Sequence, residues 1–114
     1  MSSKTILITG ATSGIGAALF ETYSNNNHKV IACGRNVKQL DAIKEKAYKT
    51  CLFDMTKQEE IKIQTESIDE IDILILNAGN CRYIDNAKQF NGELFADVIN
   101  TNLISLGWQL QYLL

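Results

Sequence analysis

The feature that most constrains the fold is a regular alternation of short apolar runs with longer segments of helical period. The four runs, in chain order, are TILIT, KVIAC, TCLF and IDILIL. Continuous apolar runs of this length are typical of strands buried on both faces of a sheet. Strands that alternate with helices imply right-handed crossovers and a parallel sheet with helices on both sides. The sequence therefore predicts one α/β domain, residues 1–114, built on a doubly wound parallel sheet.

Three helices are predicted between these runs. The apolar residues expected on the buried faces of the first two are spaced three or four apart: Ile15, Leu19 and Tyr23, then Val37, Leu40, Ile43 and Ala47. Capping-box-like pairs are expected to open the second and third helices: Asn36 with Gln39, and Thr56 with Glu59. The third helix is charged, and its IKIQTE segment also alternates like a strand.

The fourth run is followed by a loop from Asn77 to about Asn91 and then by a long apolar-rich helix. The apolar residues of this helix lie on or near one face: Phe95, Ile99, Leu103, Leu106, Leu110 and Leu113. Two partners remain open for this face, the sheet and a neighbouring subunit. Gly107 would allow either a close helix approach or a kink.

Composition excludes several classes of function. The chain has 114 residues, 46% apolar and 21% charged, with a formal net charge of -2, so no nucleic-acid or polybasic membrane surface is predicted. No apolar run approaches the roughly 20 residues of a membrane span, and MSSKTILITG lacks a signal-peptide pattern, so we expect a cytoplasmic location. Cys33, Cys51 and Cys81 form no CxxC pair and are expected to be reduced thiols, and His28 lies in a polar turn. No metal site is predicted.

A glycine motif, TGATSGIG, lies between the first predicted strand and the first helix. Gly10 would permit the sharp turn, Gly14 would let a pyrophosphate approach the backbone, and Gly16 would bring the helix close to the sheet. Backbone N–H groups around Ser13 to Ile15 would then face the anion at the helix N-terminus. No lysine follows as in a P-loop, so a nucleoside triphosphate site is not predicted. The alternative is a merely structural turn.

Four motifs in order resemble the short-chain dehydrogenase/reductase family. They are TGATSGIG, Asp54 after the third strand, NAG at residues 77–79, and Asn102 in FADVINTNLIS. The resemblance covers essentially the whole chain but only the N-terminal, cofactor-binding half of the family. Leu76 departs from the family, which often has an additional asparagine there. The resemblance implies a Rossmann-like sheet in the order 3-2-1-4, an alcohol/carbonyl substrate, and a dimer or tetramer.

The resemblance also implies roles for individual residues. Asp54 would hold the adenine amino group and Met55 would contribute its backbone. The residues expected to line the phosphates are Thr12, Ser13 and Ile15. Those expected to contact the adenosine side and to brace the first strand against the fourth are Asn77, Ala78 and Gly79. Asp54 has a competing interpretation as a turn or helix-start carboxylate.

Charge at the end of the second strand favours NADP over NAD. An NAD site uses a carboxylate about 20 residues beyond the glycines to bind the ribose 2′-OH. Here the sequence is CGRN, with no acid before Asp41, and Arg35 stands at the start of a helix. A cation is disfavoured there unless an anion offsets it, and a 2′-phosphate is such an anion. The alternative is a solvated surface arginine.

The residues that would perform hydride transfer are not all present. The family uses a serine, a tyrosine and a lysine four residues after that tyrosine, which lowers the tyrosine pKa. No YxxxK occurs in this chain, and only Asn102 matches the catalytic tetrad, where it would kink its helix and hold a water of a proton relay. We therefore expect this chain to be inactive alone, as part of a longer oxidoreductase interrupted within the helix of Asn102.

Two other hypotheses belong to different classes. The chain could be a non-catalytic dinucleotide-binding or sensor protein, or a product whose exposed surfaces serve oligomerisation. A reading frame that continues to a YxxxK would favour the enzyme. In the order 3-2-1-4 the nearly all-apolar IDILIL is an edge with little protection, which predicts an incomplete sheet and an aggregation-prone chain.

Overall fold

The computed structural model describes residues 3–79, 87–89 and 91–114. The first part of the chain contains β1 (Thr5–Thr9), α1 (Gly14–Asn25), β2 (Lys29–Gly34), α2 (Val37–Ile43), β3 (Lys49–Leu52), α3 (Gln58–Thr65) and β4 (Ile73–Ile75). A single 3₁₀ turn at Ala87–Gln89 precedes a long helix with three parts: α4 (Gly92–Ile99), a π-helical segment (Asn100–Ile104) and α5 (Ser105–Leu113).

The strands form one parallel sheet in the order β3-β2-β1-β4, which confirms the predicted fold class and strand order. β4 is the edge next to β1, and it is shorter than the predicted Ile71–Leu76. Just beyond the strand, the amide of Asn77 donates to the side-chain Oγ1 of Thr9 (3.0 Å), which joins the loop after β4 to β1. Because these strands are all parallel, their carboxyl ends lie at the same edge of the sheet.

The core follows from the alternation of side chains along these strands. On one face, Ile6 and Ile8 pack with Phe20 of α1 and Leu40 of α2. On the other face, Leu7 belongs to a cluster that includes Ile61 of α3 and Leu113 of α5, with Ile31, Cys33, Cys51 and Phe53. Both faces are covered, so the continuous apolar runs have the buried environment that they predicted.

Two predicted helix faces need correction at their first turns. Ile15 and Val37, expected in buried stripes, are 72% and 55% exposed. Each stands in the first turn of its helix, near the carboxyl edge of the sheet, where the opposite strands end. α2 also ends at Ile43, so Ala47 packs from the segment after the helix.

The predicted capping pairs have different outcomes. Asn36 does cap α2, because its Oδ1 accepts from the amide of Gln39 (3.0 Å). The second pair is wrong: Lys57, without a side-chain capping bond, precedes α3, and Thr56 donates instead to Asp54. The hydroxyl of Thr56 lies against Asp54, and α3 begins at Gln58, one residue later than a cap at Thr56 requires.

The long C-terminal helix turns an unexpected face to the sheet. Four residues spaced four apart are buried: Thr101, Ser105, Gln109 and Leu113. Ser105 Oγ donates to the carbonyl of Thr101 and Gln109 Nε2 to that of Ser105 (3.2 Å), whereas the buried Oε1 of Gln109 has no hydrogen-bond partner among the described residues. Of the predicted apolar face, only Leu113 is buried, whereas Phe95, Leu103 and Leu110 are exposed.

Candidate functional site

The carboxyl edge of the sheet borders a cleft of about 280 Å³. Most residues predicted to bind a cofactor line it: Gly10, Thr12, Ser13, Arg35, Asp54, Met55, Asn77, Ala78 and Gly79. Lining residues without a predicted site role are Thr9, Cys33, Gly34, Gln39, Phe53 and Thr101. Four predicted residues are not among those that line it: Gly14, Ile15, Gly16 and Asn102. Parallel strands bring together segments that are distant in the chain.

The glycine loop has the strained geometry that its sequence predicted. Gly10 and Gly14 have φ of +64° and +56°, in the left-handed region that side chains rarely adopt. A Cβ on Gly16 would lie 2.0 Å from the carbonyl oxygen of Gly10. The glycine loop therefore packs directly against the first turn of α1. The absence of a side chain at Gly16 lets the helix come close to this loop.

The N-terminus of α1 is prepared for an anion. Ser13 precedes the helix in an extended conformation, is exposed, and makes no side-chain hydrogen bond to the first-turn amides. No acidic residue stands in that turn. N–H groups at the start of a helix, together with its dipole, favour negative charge. Ile15 directs its side chain to solvent, so only its backbone is placed for the predicted phosphate contact.

Thr9 joins the loop after β4 to the end of β1. Its Oγ1 accepts hydrogen bonds from the amides of Asn77 (3.0 Å) and Ala78 (3.1 Å), and the side chain is 2% exposed. The predicted bracing of the first strand against the fourth is therefore present and is made by backbone amides of the NAG motif. The sequence signal for Thr9 was weak, namely a hydroxyl residue at the end of a buried strand, directly before a glycine.

Arg35 and Asp54 provide the charges at the ends of β2 and β3. Asp54 Oδ1 accepts from the amide (2.9 Å) and hydroxyl (2.7 Å) of Thr56, so the turn role proposed for this carboxylate is real. Burial acts to raise the pKa of Asp54, but these hydrogen bonds and the charge of Arg35 hold it below its ordinary value. Arg35 is exposed and forms no ion pair with the residues that the structure describes.

The cysteines and the histidine have structural surroundings. Cys33 and Cys51 are buried free thiols at paired positions of β2 and β3, and Cys81 lies outside the described residues. The Cys51 thiol and burial raise the pKa of Cys33 well above its ordinary value, so it contributes a neutral wall to the cleft. His28 Nδ1 accepts from the amide of Lys4 (3.0 Å). Within residues 3–79, 87–89 and 91–114, no cluster of three or more His, Cys, Asp or Glu could hold a metal ion.

Asn102 lies in the π-helical segment, where the long helix departs from α geometry. Its Oδ1 is 2.8 Å from the position that a Cβ on Gly79 would occupy, so the two residues are in close contact. π segments within helices are frequent at functional sites. The helix therefore meets the NAG motif at the residue for which a relay role was predicted.

In the parts of the chain that are described, no helix is long and apolar enough to cross a membrane.

A glycine turn, a helix N-terminus and a cleft at the carboxyl edge of a parallel sheet are together the arrangement of an α/β protein with a Rossmann-type fold. The sequence matches the family described as short chain dehydrogenase over residues 4–114. The chain belongs to this family of oxidoreductases, as its motifs predicted.

Individual relatives show the extent of the match. The chain is 34% identical over 111 residues to a serine 3-dehydrogenase of Rhizobium radiobacter, covering 91% of this chain and 45% of the relative. It is 32% identical over 104 residues to the NADP-dependent 3-hydroxy acid dehydrogenase YdfG of Salmonella typhi, covering 85% and 42%. A solved serine dehydrogenase complexed with NADP⁺ is 29% identical with a TM-score of 0.87, covering 96% of this chain and 47% of that one. The chain thus spans less than half the length of these relatives.

Proposed function

We propose that residues 1–114 form a single NADP-binding unit whose cofactor lies in the cleft at the carboxyl edge of the sheet. The observation that carries this proposal is the convergence there of the glycine loop, the uncapped N-terminus of α1 and Arg35. A dinucleotide needs backbone donors for its pyrophosphate and a polar wall for its adenosine, and the cleft offers both. The NADP-dependent relative and the NADP⁺ complex of a relative support the choice of cofactor.

The adenosine end is expected at the ends of β3 and β4. One carboxylate oxygen of Asp54 is held by Thr56, and the other makes no hydrogen bond with the described residues, so it can accept from the adenine amino group. Met55 would add backbone contacts. The loop of Asn77, Ala78 and Gly79, fixed by Thr9, would form the opposite wall.

Arg35 would distinguish NADP from NAD. The guanidinium is exposed at the cleft and has no carboxylate partner among the described residues, and no acid of β2 or of the first turn of α2 could bind a ribose 2′-OH. Arginine forms strong charge-assisted hydrogen bonds with phosphate. The 2′-phosphate is therefore the anion that this position fits.

The test is to measure NADPH and NADH affinities for the wild type and Arg35→Asp by calorimetry. NADPH affinity should fall at least about tenfold in Arg35→Asp, since a hydrogen bond to a charged group is replaced by repulsion, while NADH affinity changes little. Lys62→Asp, on the exposed side of α3, makes the same change of charge away from the cleft and serves as the control. An unchanged preference in Arg35→Asp would contradict the assignment.

We further propose that the complete enzyme transfers hydride between nicotinamide and an alcohol/carbonyl substrate. Asn102, in the π segment beside Gly79, would support a proton relay but cannot perform the chemistry without the serine, tyrosine and lysine. This chain should bind NADPH without oxidising it when offered aldehydes, ketones and diketones. Turnover by these 114 residues would show that other groups perform the reaction.

Homo-oligomerisation in the cytoplasm is the remaining part of the proposal. Four residues of the long helix have the spacing of one helical side and are exposed: Leu103, Gly107, Leu110 and Leu114. A Cβ on Gly107 would meet nothing within 4 Å, so a second helix could approach closely. This exposed side, hereafter the Leu103–Leu114 face, fits an equivalent face of a second subunit.

A further inference from the structure

Gln39 has a position at the cleft that its capping motif did not predict. It stands in the first turn of α2 and lines the cleft together with Arg35 and Thr12. Its backbone amide donates to Asn36, whereas its side chain leaves the helix and reaches the glycine loop. There Thr12 Oγ1 donates to Gln39 Oε1 at 3.1 Å, across 27 residues of sequence. The side chain therefore connects the two segments between which a 2′-phosphate would lie.

The chemistry of the amide determines what Gln39 can offer a ligand. A glutamine side chain has one acceptor oxygen and an NH₂ group with two donors. The oxygen is occupied by the hydroxyl of Thr12, and within the described structure the NH₂ group makes no hydrogen bond. The side chain is exposed at the cleft, so the donors are available to an anion. With its oxygen on Thr12, the amide presents its NH₂ end to the site.

We propose that Gln39 is a second determinant of cofactor choice, whose amide NH₂ donates to the 2′-phosphate of NADP beside Arg35 while Thr12 holds the amide in this orientation. The inference rests on the proposed function, because it needs the adenosine ribose near the end of β2. Arg35 would attract the phosphate by its positive charge, and Gln39 would donate a directional hydrogen bond to it. NADH has no phosphate at this point and gains nothing from the amide.

A purely structural role for the Thr12–Gln39 hydrogen bond makes different predictions. Gln39→Glu keeps the length of the side chain and an oxygen acceptor for Thr12, but it replaces the NH₂ donors with a negatively charged oxygen. If the bond only joined the loop to α2, Gln39→Leu would weaken both cofactors equally, and any selective loss of NADPH in Gln39→Glu would come from charge repulsion alone. If the amide binds the 2′-phosphate, both variants weaken NADPH selectively, and Gln39→Glu has the larger effect.

The experiment measures dissociation constants of NADPH and NADH for the wild type, Gln39→Glu and Gln39→Leu. Gln64→Glu, on the exposed side of α3, is the control for the added charge. NADPH affinity should fall at least about tenfold in Gln39→Glu, with NADH affinity within about twofold of wild type, as expected for a lost hydrogen bond to a charged group. Binding of adenosine 2′,5′-bisphosphate compared with ADP repeats the test without the nicotinamide half.

The outcomes separate this inference from the proposed function. A wild type that prefers NADPH, with the same NADPH-to-NADH ratio in Gln39→Glu, overturns the role of Gln39 and leaves the NADP site intact. Equal affinities of the wild type for NADPH and NADH overturn the proposed NADP preference, and the role of Gln39 with it. Equal losses for both cofactors in Gln39→Leu establish the structural role instead, whatever the effect of the added charge in Gln39→Glu.

Discussion

Replacing Thr9 with valine should remove the brace between β1 and the NAG motif without leaving a cavity. Valine has almost the volume of threonine, but it offers no oxygen to the two amides of Asn77 and Ala78. A buried donor left unpaired costs about 1 to 3 kcal/mol. Because both amides belong to half-buried residues that water can partly reach, we expect a total loss of about 2 to 4 kcal/mol in the free energy of unfolding.

Thr9→Ser is the matched variant. It keeps the accepting oxygen and loses one buried methyl group, which costs roughly 1 kcal/mol. Urea unfolding followed by circular dichroism gives both free energies, and calorimetry gives the NADPH affinity of the folded fraction. We expect Thr9→Val to be the less stable variant and to bind NADPH more weakly, because the NAG loop loses its attachment. A Thr9→Val protein as stable as Thr9→Ser would refute the reasoning, since the oxygen would then contribute nothing.

Three further predictions follow from the structure. Gly16→Ala should lower the free energy of unfolding by about 3 kcal/mol or more, because the new Cβ would overlap a backbone carbonyl. Gly92→Ala is the control: the space around Gly92 is open, so the free energy of unfolding should change by less than about 0.5 kcal/mol. Similar melting temperatures of the two variants would contradict this prediction. Because the pKa of Asp54 is lowered in the fold, its carboxylate stabilises the protein above the unfolded pKa of about 4, and this stabilisation is lost as pH falls through the folded pKa. Asp54→Asn should therefore weaken the pH dependence of unfolding below about pH 4. Identical acid-unfolding profiles of the variant and the wild type would exclude this contribution. The double variant Leu103→Glu and Leu110→Glu should shift sedimentation toward monomer with unchanged helix content, and persistence of the oligomer would place the subunit contact elsewhere.

The fold was predictable because its determinants are local. Continuous apolar runs gave the strands, and the turn between β1 and α1 followed from glycines with positive φ. The end of β4 could not be predicted in the same way. The loop that follows β4 is attached to β1 through Thr9, which accepts from the amide of Asn77, 68 residues away in sequence. A hydrogen bond between segments so far apart leaves no signal in either local sequence.

The residues of the candidate site also differ in whether local sequence alone could locate them. Arg35, Asp54 and the glycines could be located from motif and charge, whereas Thr9 and Gln39 act through hydrogen bonds between distant segments. Gln39 had been interpreted as half of a capping box. Only Asn36 caps, because the side chain of Gln39 finds the hydroxyl of Thr12 across the cleft. Helical spacing places a residue on a face, but it does not show what lies opposite that face.

The long helix shows why hydrophobic spacing alone chose the wrong face. Its apolar residues predict one buried side, yet the side against the sheet carries Thr101, Ser105 and Gln109. Ser105 Oγ and Gln109 Nε2 donate to carbonyls of the same helix, which lowers the cost of burying these two groups, so the pattern of polar and apolar residues does not identify the buried side. The Leu103–Leu114 face is then left exposed on a helix already packed on its other side. Of the two partners left open for the apolar side of this helix, the sheet does not cover the Leu103–Leu114 face, and contact with a second subunit stays a prediction.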